Sequence, residues 1–158
     1  MSELNPYAKF LDGRPLEVIL ASTPSTLSGL IKMIGPEKVT TSPASGKWSP
    51  AEIASHLADC ELAFGFRLRQ TLAEDHHVIQ PFDQEKWAAA YPRIPAAQAL
   101  ATFAALRNWN LLLIENALPG AADKSVSHPE RGAMTFKTIV ETMAGHDLNH
   151  LAQLKKFT

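Results

Sequence analysis

Apolar residues recur three and four positions apart along most of this chain, the spacing of one face of an α-helix. Leu27, Leu30, Ile31 and Ile34 form one such stripe, preceded by Leu16, Ile19 and Leu20. Thr23-Pro24 reads as a cap and first helical residue, so Pro24 either kinks a single helix or divides a short helix from a longer one. Gly35-Pro36 ends the segment, and residues 37–47 are polar and irregular. The sharpest local signal follows at Ser49-Pro50-Ala51-Glu52. Serine as cap, proline in the first turn and glutamate three residues after the serine make a capping box. A helix is predicted from Pro50 to about Glu74, with Ile53, Leu57, Cys60, Phe64 and Leu68 inward.

Residues 75–94 hold His76, His77, two prolines, Trp87 and Tyr91, and read as a long loop with a short helix near Gln84–Ala90. Pro95 opens a third long helix, apolar on more than one face, which Pro119-Gly120 is expected to stop. Residues 121–134 read as a second loop containing His128. Thr135 can cap a last helix carrying Phe136, Ile139, Val140, Met143, Leu148, Leu151 and Leu154. No segment alternates with period two, so the expectation is an all-α four-helix bundle without a sheet, formed by residues 1–158 as one domain.

Composition narrows the function classes. The 158 residues carry a formal charge of -1 and no basic run, which disfavours nucleic-acid binding. The single cysteine, Cys60, excludes an intrachain disulfide and fits a reducing compartment. No apolar run reaches membrane-spanning length and the N-terminal residues lack the pattern of a secretory signal, so a cytoplasmic protein without membrane contact is expected.

The candidate chemistry lies in histidines. His146 and His150 stand four apart and continue the Ile139–Met143 stripe, so both rings should face inward and reach a common point. His56 follows Ile53 on the inner side of the second helix. Three imidazoles in a bundle core can hold one divalent metal ion, Zn, Ni or Fe, and leave a coordination position open. The glutamate of a zincin helix is missing between His146 and His150, and neither a nucleophile elbow nor a glycine-rich phosphate loop is present.

The same residues carry a family resemblance. Trp48-Ser49-Pro50-Ala51-Glu52-Ile53-Ala54-Ser55-His56-Leu57-Ala58-Asp59-Cys60-Glu61 resembles the W-S-x-x-E-x-x-x-H-L-x-D-x-E segment of DinB-like (YfiT-like) proteins, and His146-Asp147-Leu148-Asn149-His150-Leu151-Ala152-Gln153 their C-terminal H-D-x-x-H-x-x-Q segment. The resemblance implies an up-down-down-up bundle, often homodimeric, with a metal held at His56, His146 and His150. It further implies a metal-dependent enzyme acting on a small molecule by hydrolysis or by transfer of a low-molecular-weight thiol, the metal activating a water or thiol. A non-catalytic binding module and a structural interaction protein are the alternatives.

Several neighbours are secondary candidates. Asp59 and Gln153 can orient a metal ligand, and Gln153 can equally bind substrate. Glu61 reads as a charge on the helix surface, with orientation of a metal ligand as the alternative, and Asp147 and Asn149 as structural residues off the histidine phase. Cys60, one turn after His56, can be a ligand, a nucleophile or a small core residue. His76 and His77 are expected in solvent, while His128 can approach the open face of the metal from its loop. Trp48 should pack at the start of the second helix, while Trp87, Tyr91 and Arg93 can line a pocket mouth.

Overall fold

The computed structural model describes residues 4–158. Four long helices, α1 (Leu16–Ile34), α2 (Pro50–Ala73), α4 (Ala96–Ala121) and α5 (Phe136–Leu154), build a bundle, with a short α3 (Gln84–Ala88) between α2 and α4. The capping box forms as written: Ser49 Oγ accepts from the Glu52 N–H and a Glu52 carboxylate oxygen accepts from the Ser49 N–H at 2.7 Å. Thr135 Oγ1 caps α5 by accepting from the Thr138 N–H at 3.1 Å.

The order of the core contacts gives the direction of each helix. One apolar cluster joins Ile19 and Leu20 of α1, Phe64 and Leu68 of α2, Leu111 and Ile114 of α4 and Ile139 and Met143 of α5. A second joins Leu27 and Leu30, Ile53 and Leu57, Phe103, and Leu151 and Leu154. Between the first cluster and the second, α1 and α5 therefore run one way and α2 and α4 the other. The topology is up-down-down-up. α4 lies between α1 and α2, and α5 closes the ring from the other side. Among the described residues, no helix is long and apolar enough to cross a membrane.

Three sequence expectations change. Thr23 is not a cap: of the two readings of Pro24 the single helix holds, and Thr23 is a helical residue within it whose hydroxyl donates to the Ile19 carbonyl at 2.9 Å. Pro119 does not stop α4, which continues to Ala121. A proline in the last turn removes a single hydrogen bond where the helix is already ending. The segment 121–134 is not simply a loop. It holds an antiparallel hairpin, β1 (Ser125–His128) and β2 (Gly132–Thr135), pairing Val126 with Met134 and turning at Gly132, whose φ is +84°. Ser127 also exchanges backbone hydrogen bonds with residues 77 and 79, so the long loop after α2 is strapped to the hairpin.

A polar layer separates the two apolar clusters. Its centre is Arg107 of α4, 1% exposed. Pro24 has no N–H to offer the Leu20 carbonyl, and Arg107 Nη1 donates to that oxygen at 3.0 Å. The same guanidinium donates to Asp147 at 2.7 Å and to Glu61 at 2.6 Å. Asn110 donates to the other Glu61 oxygen at 2.8 Å and accepts from Arg69 at 2.7 Å. Glu61 is thus a buried ion-pair partner rather than a surface charge, while Asp147 ties α5 to α4. Gly65 is required beneath this network, since a Cβ there would lie 2.6 Å from Asn110 Oδ1.

Candidate metal centre

His56 projects from α2, and His146 and His150 from successive turns of α5, into the same layer of the core. They are 1%, 3% and 6% exposed. His146 Nε2 lies 3.1 Å from His56 Nε2 and 3.2 Å from His150 Nε2, and the three donor atoms fall within 4.8 Å of one another. In a tetrahedral site with metal–nitrogen bonds of about 2.0–2.1 Å, adjacent ligand nitrogens stand roughly 3.3 Å apart. The spacing of the three imidazoles fits such an ion.

Electrostatics favour the same use. Burial holds His56 far below its ordinary value, at about 3, with His150 adding to the effect. Burial also drives His146 well down, helped by His150, His56 and Arg107. His150 is lowered by burial, against the opposing influence of Gln153 and Asp147. All three rings are neutral near pH 7, the form that offers a lone pair to a cation.

The surroundings fix each ring. Gln153 Oε1 lies 3.1 Å from His150 Nδ1, so Nδ1 carries the hydrogen and Nε2 presents its lone pair to the cluster. Trp48 covers His56 with ring centroids 4.6 Å apart. His146 lies edge-on between Tyr7 and Phe64. Gly145, beside it, lets the Tyr7 backbone approach closely: a Cβ there would meet the Tyr7 carbonyl oxygen at 2.6 Å. Among the described residues, His146 Nδ1 is buried without a partner.

The other sequence candidates separate clearly. Asp59 accepts a hydrogen bond from the buried Tyr91 phenol at 2.8 Å, and Tyr91 in turn packs edge-on to Trp48. Asp59 therefore faces the aromatic wall beside His56, whereas Gln153 touches a histidine. Cys60 Sγ lies 3.4 Å from His56 Nε2, and burial pushes its thiol pKa up, so it stays protonated. His77 is not fully in solvent; it is half-buried and lies 3.3 Å from the Glu74 carboxylate, while His76 is exposed. Trp87 packs on Phe82. Sequence reasoning missed Arg107, Tyr7, Arg67 and Arg131. A single arginine between Phe103 and Leu111 in an apolar helix was the one available signal for the first.

Solvent reaches the cluster through a cleft of about 720 Å³ whose walls include His56, His150, Gln153, Trp48 and Asn149, with Lys47 and Lys156 also on its lining. Fold and site together define a class of protein: an up-down-down-up helical bundle with an imidazole triad in its middle layer, reached from solvent through that cleft. Comparison with known proteins gives the family. The DinB superfamily model matches residues 19–154, and the chain belongs to that superfamily. A putative metal-dependent hydrolase of Oceanobacillus iheyensis is 27% identical over 163 residues, covering 98% of this chain and 95% of that protein. The putative metal-dependent hydrolase YfiT of Bacillus subtilis is 20% identical over 143 residues, covering 89% of this chain and 80% of its own. The solved structure of YfiT, described as a probable metal-dependent hydrolase with an unusual four-helix bundle topology, superposes with a TM-score of 0.83 at 19% identity, covering 90% of this chain and 83% of that one. That likeness supports the fold.

Proposed function

We propose that this protein is a metal-dependent enzyme acting on a small molecule, with His56, His146 and His150 holding one divalent ion, Zn, Ni or Fe. The convergence of three neutral Nε2 atoms at the foot of an open cleft carries this reading. An ion bound there would act as a Lewis acid and lower the pKa of a water or thiol. The chain's own residues do the rest. Gln153 holds His150 in the tautomer that leaves Nε2 free. Trp48, backed by Tyr91 and Asp59, shields His56 from bulk water. In the metal-free protein burial pushes the Cys60 thiol pKa up. The open cleft gives a nucleophile from outside a way in, as water in a hydrolysis or as a low-molecular-weight thiol in a transfer reaction.

Metal analysis of the protein, with His146→Ala and His150→Ala beside it, tests the site. About one equivalent in the wild type and a large loss in both variants is expected; equal, negligible metal in all three overturns the reading. The loaded protein, offered ester and amide panels with and without low-molecular-weight thiols, then separates hydrolysis from thiol transfer. The proposal includes a homodimer. Exposed Leu62 and Phe66 on α2 and Trp109 and Leu112 on the parallel α4 supply apolar surface for it. Sedimentation equilibrium should give twice the chain mass, and a monomer at all concentrations refutes that part.

A further inference from the structure

A second cavity, of about 210 Å³, reaches the imidazole cluster by a different route. The main cleft meets His56 and His150; this one meets His146 and Cys60, and Tyr7 and Gln84 line both. Its charged lining is unusual for a core-facing space. Arg67 enters from α2, Arg131 from the β1–β2 turn and His128 from the end of β1, with Glu130 the only carboxylate on the wall among the described residues.

The two arginines are held with donors unspent. Arg67 sits over two phenyl rings, 5.8 Å from the Phe64 centroid and 5.6 Å from that of Phe82. Its hydrogen bond goes to the Gln80 carbonyl at 3.4 Å. Among the described residues, neither Arg67 nor Arg131 is ion-paired with a carboxylate, and both are half-buried. His128 is buried, and its Nδ1 accepts from the Glu130 N–H at 3.2 Å, so its Nε2 carries the hydrogen and is a donor. Burial and then Arg131 and Arg67 hold His128 below its ordinary value, against the opposing influence of Glu130.

Like charges gathered beside a partly desolvated cavity are unfavourable unless an anion joins them. Planar guanidinium groups match carboxylate and phosphate oxygens in pairs. We propose that this cavity is an anion subsite in which Arg67, Arg131 and His128 Nε2–H take a carboxylate or phosphate group of the substrate. Its opening onto His146 would set the rest of that molecule against the triad. That the anion belongs to a substrate of the metal centre rests on the function proposed above; anion binding itself does not.

Calorimetric titration of the metal-free protein in chelator tests the subsite apart from the metal. The probes are benzoate, phenyl phosphate and the neutral benzamide. At least one of the two anions should bind, benzamide much more weakly, and Arg67→Gln and Arg131→Gln should each weaken the anion about tenfold. Arg131 lies in a turn on the hairpin, so its variant should fold even if the α2 variant does not. His150→Ala, which disables the proposed metal site, should bind the anion as the wild type does. Tighter benzoate assigns a carboxylate and tighter phenyl phosphate a phosphate. Equal binding of benzamide, binding seen only after metal loading, or an Arg131→Gln protein that binds like the wild type overturns the subsite, whatever the metal analysis shows.

Discussion

Replacing Arg107 by methionine should be among the most destabilising single changes in this protein. Methionine keeps much of the volume and removes the guanidinium. Three acceptors then lose their donor: the Leu20 carbonyl, Asp147 and Glu61, the last with Asn110 still donating. Breaking a buried ion pair by removing one partner costs about 3–5 kcal/mol. Orphaning the Leu20 carbonyl adds about 1 kcal/mol or more, because Pro24 offers that oxygen no helical N–H. A loss of about 4–6 kcal/mol is a large part of the 5–15 kcal/mol typical of a domain. In a chain of this length it corresponds to a fall in melting temperature of roughly 8–24 °C. Urea unfolding followed by far-ultraviolet circular dichroism, in chelator so that metal binding does not contribute, measures it. The triple variant Arg107→Met, Glu61→Gln, Asp147→Asn should recover part of the loss, since no buried charge is then left unpaired. An Arg107→Met protein within about 1 kcal/mol of the wild type would show that water reaches this layer, and the account of a desolvated triad would fail.

Three further outcomes follow. The metal-free protein should lose stability as pH falls. The triad is held below the unfolded value of 6.5, with His56 at about 3, so the unfolded state takes up protons first. This contribution is whole above pH 6.5 and declines toward pH 3, and a melting temperature flat from pH 7.5 to 4.5 would contradict it. Adding the cognate ion at about a thousandfold its dissociation constant should raise stability by about 4 kcal/mol, and the increase should vanish in His146→Ala. Gly145→Ala should destabilise by about 1–3 kcal/mol, because a Cβ 2.6 Å from the Tyr7 carbonyl meets backbone that must shift. Limited proteolysis should then cut the Tyr7–Phe10 region faster; unchanged melting and cleavage would mean that this segment does not bear on His146.

The helices and the histidine triad were legible because both are periodic. The capping box at Ser49 and the cap at Thr135 sit next to the segments they start, and His146 and His150 share a helical phase with Ile139 and Met143. What the pattern cannot show is pairing at a distance. Glu61 looked like a surface charge because its partner, Arg107, lies 46 residues away. A lone arginine in an apolar helix has no period to mark it. The hairpin escaped for another reason: each strand is four residues long, too short for alternation to stand out, and it is held partly by the strap at residues 77–79. Arg131 and His128 reach the second cavity only because that hairpin forms.

The band of charge across the middle of the bundle also acts as a ruler. Apolar side chains tolerate many offsets between neighbouring helices, because one leucine is nearly as good a partner as the next. Arg107 has no such freedom. A slip of α4 by one turn, about 5.4 Å, would carry it away from Glu61, Asp147 and the Leu20 carbonyl and set a bare cation among leucines. The slipped assemblies are thereby penalised and a single alignment survives. Asp147 is one of the marks on that ruler, and His146 is the next residue along. The nitrogen atoms of two separate helices meet within about a bond's length of a common point because charges elsewhere in the layer have already fixed where each helix must stop.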